Sequence, residues 1–553
     1  MGGFKMKIRI NGKEFVLDDQ VDKTLYQFLK ELGIYVPVLC YNDNLKEVGM
    51  CRLCVVKDRN RIRSSCIAKL EDGMDIIVDD QDLENYRKWA LQFLFGERNH
   101  YCMYCAKTSQ CEFQDLGYYT KLDHFFFPTF YNKYELDTSH DYILFDNNRC
   151  VLCNRCVRVC SEVAGHFVLN TEKRGGNTLI VANGGKKLGE SNCTSCGLCV
   201  QVCPTGTFLD KNTLFLDRKA IEIKTNCFIC PIGCSISIFL NQNKDYIAKI
   251  YSDFEGYTQG LICYKARYIN AFDYNSYLKL NNQFLSLNDI FNIIKEKVDG
   301  SIILIDGTLT NEELILISNL NNKYIYYDLT ENLLNNPSLE ELDNFDNYVI
   351  FDIDLDKEFG ALGSILKRNV LIKNKKLFSF NVFNKVYLDI SFKVLREYNE
   401  LNEVSKKHFN NNTLFIVPIN LYLKDYSYFA NFSNCRFLIL PVNSNDIGLI
   451  KILKNVPNIA NLKNYVDLKN KNIILVSREL KNLKDLNLLN NMDNEKIIIT
   501  FANNENLNII KNFKNVKLVF NIGHYFEISG SFWNMFNYEV KLNSIRYELI
   551  NSK

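Results

Sequence analysis

Near its start the chain reads MKIRINGKEFVLDDQVDKTLYQFLKELGI. Apolar and polar residues alternate on both sides of Asn11-Gly12, then recur at helical spacing from Thr24. Alternation around an Asn-Gly pair predicts a β-hairpin, and the change of period predicts a helix behind it. Hairpin then helix suits a small β-grasp domain, expected over residues 1–80. Far downstream the pattern changes. Short apolar runs (YVIFDIDL, NTLFIVPINLYL, NIILVS, KIIITFA) alternate with Lys/Asn-rich stretches of helical character. SIILIDGTLTNEELILISNL joins a strand to an amphipathic helix that Thr310 or Asn311 is placed to cap. This alternation predicts a parallel α/β fold, so the expected class is multidomain, α+β in front and α/β behind.

Cysteine changes that picture. Nineteen of the 20 cysteines precede residue 264. Cys40, Cys51, Cys54 and Cys66 run C-x10-C-x2-C-x11-C, which suits one [2Fe–2S] cluster: the Cys51–Cys54 loop wraps one side and the outer pair closes the other. Gly49 is expected to let that loop approach the sulfides. A four-cysteine zinc site normally pairs two CxxC knuckles, and only one is present. Cys102, Cys105 and Cys111 leave a [4Fe–4S] cluster one ligand short, and His100 can supply a neutral imidazole. Cys150, Cys153, Cys156 and Cys160 run C-x2-C-x2-C-x3-C, and Cys193, Cys196, Cys199 and Cys203 repeat the run before Pro204. In this two-cluster pattern the fourth cysteine of each run ligates the other cluster. The sets are then Cys150, Cys153, Cys156 with Cys203, and Cys193, Cys196, Cys199 with Cys160. Cys227, Cys230, Cys234 and Cys263 suit a further [4Fe–4S] cluster. One [2Fe–2S] and four [4Fe–4S] clusters need twenty ligands, which nineteen cysteines and His100 supply. Cys435 is left over, as an inert buried cysteine.

Composition excludes more than it proposes. A length of 553 residues exceeds one core, and a net charge of +2 gives no electrostatic case for nucleic acid. The start, MGGFKMKIRI, has no apolar signal segment or twin arginine, so export is not expected. No run of 18 apolar residues occurs, so membrane contact is expected only through partners. Clustered cysteine in a long chain expected to stay in a reducing compartment points to metal rather than disulfides.

The order of these groups, with GMCRLC, CEFQDLG, CVRVCSEVAG and CPTGT, resembles the G subunit of NADH-quinone oxidoreductase, the 75 kDa iron–sulfur subunit family of respiratory complex I. The resemblance covers residues 6–275. Two features depart from it. Arg98 stands where the family usually places its histidine, and all eight ferredoxin cysteines are kept. The second leans toward hydrogenase and formate dehydrogenase relatives. The resemblance implies a His/Cys-ligated [4Fe–4S] domain at 81–122, a two-[4Fe–4S] ferredoxin at 140–212 and a molybdopterin-oxidoreductase-type [4Fe–4S] domain at 219–275. Residues 276–553 then look like a shortened molybdopterin oxidoreductase domain, with TNEE at 310–313 and Glu527, Gly530 and Asn534 as matching positions. No Cys-His pair occurs there and no extra cysteines for a hydrogenase cluster, so molybdopterin is not expected and the tail is read as scaffold, with Lys265 a solvated or cluster-stabilising lysine. No G-x-G-x-x-G follows a strand, so no nicotinamide site is expected. The implied role is electron transfer within a multisubunit NADH-quinone oxidoreductase, a translocase, from a flavin-bearing subunit toward a quinone-reducing module. Its place would be peripheral, on the cytoplasmic face of the bacterial inner membrane. The alternative is an electron-transfer subunit of a soluble hydrogenase or formate dehydrogenase complex.

Overall fold

The computed structural model describes residues 5–18, 22–124, 126, 132–214, 220–241, 247–268, 302–318, 323–326, 331–453, 459–461, 473–477, 496–500, 508–509, 512–513, 516–521 and 530–542. The chain parts into two compact units, Met1–Ala220 and Ile221–Lys553, so the Cys227–Cys263 segment belongs with the tail. The boundary expected at 275/276, and Glu527, lie outside the described residues.

In the first unit β1 (Lys5–Ile10) and β2 (Lys13–Asp18) pair antiparallel around Asn11 and Gly12, both at positive φ, as an Asn-Gly hairpin requires. Every second residue of β1 is buried. With β3 (Val55–Asp58), β4 (Arg61–Ser64) and β5 (Asp75–Ile77) the sheet order is β2-β1-β5-β3-β4. Ile8, Ile10, Leu25, Leu29, Val56 and Ile76 form its core. Helix α1 (Leu25–Glu31) starts at Thr24, whose hydroxyl accepts from Gln27 N–H while the Gln27 side chain accepts from Thr24 N–H, a reciprocal cap. Helix α2 (Gln81–Glu97) is capped by Asp80, which accepts from Leu83 N–H at 2.8 Å, and α3 (Glu112–Tyr119) follows directly on Cys111. Two small antiparallel pairs, β6 (Ile143–Phe145) with β9 (Phe208–Asp210) and β7 (Leu169–Glu172) with β8 (Leu179–Ala182), frame the eight-cysteine region.

The second unit opens with a three-stranded sheet of β10 (Ala220–Asn226), β11 (Ser235–Asn241) and β12 (Ile247–Ser252). Two parallel sheets follow. One joins β13 (Ile302–Ile305), β14 (Lys323–Tyr326), β20 (Ile459–Asn461), β21 (Ile473–Val476), β22 (Lys496–Thr500) and β23 (Val516–Asn521) in the order β20-β14-β13-β21-β22-β23. The other joins β15 (Asn347–Phe351), β16 (Lys376–Phe380), β17 (Lys393–Leu395), β18 (Thr413–Pro418) and β19 (Arg436–Leu440) in the order β17-β16-β15-β18-β19. Central strands are buried along their whole length, which is why they read as unbroken apolar runs. A last hairpin, β24 (Gly530–Trp533) and β25 (Glu539–Leu542), closes the described chain.

The helix Asn311–Ser318 is capped by Thr310: its hydroxyl accepts from Glu313 N–H at 3.3 Å, and its N–H donates to Glu313 Oε2 at 2.8 Å. Asn311 does other work. Its amide donates to Ser531 Oγ at 3.0 Å, and Ser531 N–H donates to Glu312 Oε2 at 2.8 Å, so TNEE and the final hairpin are brought together. Beneath them lies a closed polar cluster. Asp306 accepts from the Thr308 N–H and hydroxyl and from Ser477, and Asp446 accepts from Val442 N–H and Asn443. Burial, relieved in part by the Asn443 hydrogen bonds, pushes the Asp446 carboxyl up to about 7. It therefore stays protonated when folded but ionises from about pH 4 when unfolded. Its stabilisation is present at low pH and is lost as pH rises toward 7, by roughly 4 kcal/mol. Thermal unfolding of the full chain from pH 4.5 to 7.5 should fall more steeply for wild type than for Asp446→Asn, and parallel profiles would refute this.

Candidate metal centres

Cys40, Cys51, Cys54 and Cys66 are all buried beside the first sheet. Leu39 N–H donates to Cys51 Sγ at 3.4 Å and Cys51 N–H to Cys40 Sγ at 3.5 Å. Hydrogen bonds from Cys51 and Cys66 hold the Cys40 thiol down to about 2, and one from Cys66 holds Cys54 at about 7. The same hydrogen bonds, with burial, push the Cys51 and Cys66 thiols up, so the set shares its protons and gives up the rest only to a cation. Arg52 turns the loop through a left-handed φ of 57°. Gly49 is also left-handed, but the space beside it is filled by Ile67, 2.9 Å from where a Cβ would lie, rather than by the thiols. Its glycine is required by the turn and by Ile67.

The eight ferredoxin cysteines line two cavities. One is bounded by Cys150, Cys153, Cys156 and Cys203 together with Pro204 and Thr205. The other is bounded by Cys160, Cys193, Cys196 and Cys199, with His166 and Leu198. Each run thus sends its fourth cysteine to the opposite cavity. Left-handed residues recur in register: Leu152 and Asn154 in the first run, Ser195 and Gly197 in the second. They turn backbone N–H groups onto sulfur, Leu152 to Cys150 at 3.3 Å and Ser195 to Cys193 at 3.5 Å. Burial pushes the Cys150 thiol up to about 11 and Cys153 to about 12, so thiolates there need a positive partner.

A third cavity is lined by His100, Cys102, Cys105 and Cys111, with Arg149 and Gly206. His100 Nε2 is buried and has no hydrogen-bond partner among the described residues. Burial, then the charges of Arg149 and Arg98, lower its pKa to about 3, so the imidazole stays neutral with a lone pair to give. Arg98 is fully buried and donates instead to the Asn147 and Thr178 carbonyls. Thr205 lines both this cavity and that of Cys150, and Cys111 donates to Pro204 O at 3.4 Å, so CPTGT is the partition between them.

In the second unit Cys227, Cys230, Cys234 and Cys263 also come together. Burial pushes Cys227 up, Cys230 and Cys263 add to this, and the Lys265 charge opposes it. The final hairpin walls the group: Phe532 packs on Phe228, Asn534 donates to Ile232 O at 3.1 Å and to Tyr257 Oη at 3.0 Å, and Met535 N–H to Pro231 O at 2.8 Å. Cys435 is half-buried, its thiol raised to about 11 by burial.

Sequence reasoning missed the buried arginines. Arg155 makes a two-point ion pair with Glu112 at 2.8 and 2.9 Å, and Arg158 donates to the Lys46 and Cys40 carbonyls. Each lies beside a cysteine loop, and the Arg155 charge lowers the Cys153 pKa against burial. The signal was their place among the cysteines, Arg155 between Cys153 and Cys156 and Arg158 between Cys156 and Cys160, beside thiols that must carry negative charge. Among the described residues, no three or more His, Cys, Asp or Glu side chains gather as around a single metal ion. A group several atoms across suits thiols that ring a cavity.

These centres define an iron–sulfur protein. Residues 5–81 match the 2Fe-2S iron-sulfur cluster binding domain, residues 87–125 the NADH-ubiquinone oxidoreductase-G iron-sulfur binding region, and residues 149–207 the 4Fe-4S dicluster domain. The chain is related to the G subunits of NADH-quinone oxidoreductase. One such protein, from Rhizobium meliloti, is 29% identical over 270 residues, 47% of this chain and 31% of that protein. The gamma subunit of the NAD-reducing hydrogenase HoxS of Cupriavidus necator is 29% identical over 224 residues, 40% of this chain and 94% of that one. The alpha subunit of the NADPH-Fe(3+) oxidoreductase of Geobacter sulfurreducens is 27% identical over 276 residues, 48% of this chain and 32% of that protein. The matched part therefore spans about a third of the Rhizobium and Geobacter relatives.

A Cβ at Gly206 would lie 2.7 Å from Cys105 Sγ. Gly206→Ala should therefore displace Cys105 and lower iron by about four atoms per chain, leaving the other centres loaded. Unchanged iron content would show that the partition yields.

Proposed function

We propose that this chain is the iron–sulfur electron-transfer subunit of an NADH-quinone oxidoreductase, passing electrons from a flavin-bearing partner toward a quinone-reducing module. The observation that carries the reading is the exchange of Cys160 and Cys203 between two cavities, beside a third whose fourth wall is the unpartnered His100 nitrogen. When bound, the clusters supply one-electron carriers. The chain supplies thiolate sets, N–H donors and buried guanidinium groups around them. In this reading Cys40, Cys51, Cys54 and Cys66 hold a [2Fe–2S] cluster in a β-grasp domain. His100, Cys102, Cys105 and Cys111 hold a [4Fe–4S] cluster, and the two ferredoxin sets and the Cys227–Cys263 set hold three more. No catalytic site of its own is proposed. In the second unit the buried acids Asp306 and Asp446 are satisfied by neighbouring side chains and backbone, which favours scaffold over pterin binding. No helix among the described residues is long and apolar enough to cross a membrane. Attachment to the cytoplasmic face of a bacterial inner membrane would then run through partners.

A second reading, a subunit of a soluble NAD-linked hydrogenase, is favoured by the 94% coverage of the HoxS gamma subunit and by the complete eight-cysteine ferredoxin. Pull-down of the tagged chain from gently solubilised membranes separates the two. Quinone-module subunits support the first, and a nickel hydrogenase supports the second. In the reconstituted chain Cys203→Ser should abolish the paramagnetic signal that Cys150→Ser also abolishes and spare the one that depends on Cys193. The reverse pattern would overturn the ligand exchange.

A further inference from the structure

The two halves of the ferredoxin region are built alike but held differently. In the first, the left-handed residue that aims N–H at sulfur is Leu152, whose side chain is apolar. In the second it is Ser195, at φ 61°, and its hydroxyl is engaged by His140 Nε2 at 3.0 Å. His140 is buried, and its Nδ1 accepts the N–H groups of Tyr142 and Ile143, both at 3.1 Å. Two donors on Nδ1 place the ring proton on Nε2, so the imidazole donates to Ser195 Oγ. The segment that carries His140 is fixed against the chain entering the Cys193 loop. Asp137 accepts from Leu188 N–H at 2.7 Å, Ser139 Oγ accepts from Gly189 N–H at 2.8 Å, and Lys211 donates to the His140 carbonyl. The neighbouring Thr194 hydroxyl meets His166 Nε2 at 2.8 Å. Both residues between Cys193 and Cys196 are thus gripped by imidazoles.

We propose that His140 is a positioning residue for the centre of Cys160, Cys193, Cys196 and Cys199, holding Ser195 left-handed so that its N–H stays on Cys193 Sγ and thereby raising that centre's reduction potential. The inference rests on the ligand assignment above. A donor aimed at sulfur favours the more negative, reduced state, so its loss makes reduction harder. In the first half the apolar Leu152 side chain offers no such handle, and the hydroxyls of Thr205 and Thr207 reach Cys203 and Cys150 instead.

Redox titration of the reconstituted full chain, followed by electron paramagnetic resonance, tests this. Cys193→Ser first identifies the signal. His140→Asn keeps an acceptor for the Tyr142 and Ile143 N–H groups but cannot reach Ser195, whereas His140→Gln places an amide donor near the Nε2 position. His140→Asn and Ser195→Ala should each lower the reduced-to-oxidised ratio of that signal about tenfold at fixed potential, 59 mV for one electron. His140→Gln should restore it, and the double variant should match either single one. An unchanged ratio in both single variants, or an equal shift of every signal, overturns the proposal. If Cys193→Ser removes no signal, the ligand assignment itself fails, and the inference with it.

Discussion

Burying thiolates is the constraint on which this molecule depends. An uncompensated anion in a dry site costs several kcal/mol, and burial alone drives these thiols toward their protonated forms. The fold answers with three kinds of positive partner. Iron is the first, implied by the thiol sets. Backbone N–H groups, turned onto sulfur by left-handed residues, are the second. Buried arginines are the third, and Arg98 and Arg158 donate to backbone carbonyls while Arg155 adds Glu112, so that loops from distant parts of the sequence are fastened together as charge is balanced.

This double use of arginine explains why the first unit is one compact body although its sheet is small. Arg158 reaches back over 112 and 118 residues to the loop beside Cys40, and Arg98 reaches forward to the β-pair of the ferredoxin region. CPTGT then closes two cavities with one strand of backbone, which only works because Gly206 has no side chain to strike Cys105. In the proposed electron-transfer role such sharing helps, since a thin partition keeps neighbouring sites near.

The tail follows different physics. Its central strands are buried on both faces, and among the described residues the buried acids Asp306 and Asp446 are spent on neighbouring side chains and backbone. The hairpin from Gly530 nevertheless reaches the Cys227–Cys263 group through Phe532 and Asn534, so the tail helps to build that centre as well as to support it.

Much of this was legible from residue spacing. The Asn11-Gly12 hairpin, the helix capped at Thr24, the apolar runs of the parallel sheets and the grouping of thiols are local signals, set by backbone preferences and by the fixed reach of a CxxC loop. Even the exchange of Cys160 and Cys203 follows from a repeated spacing. What only the tertiary structure decided is long-range: which arginine meets which carbonyl, that Arg98 is a fastener while His100 faces the thiols, that Gly49 yields to Ile67, and that His140 finds Ser195 across 55 residues. Such pairs leave no periodicity to read, because they are chosen by packing and by the need to satisfy every buried charge and donor once the chain has closed.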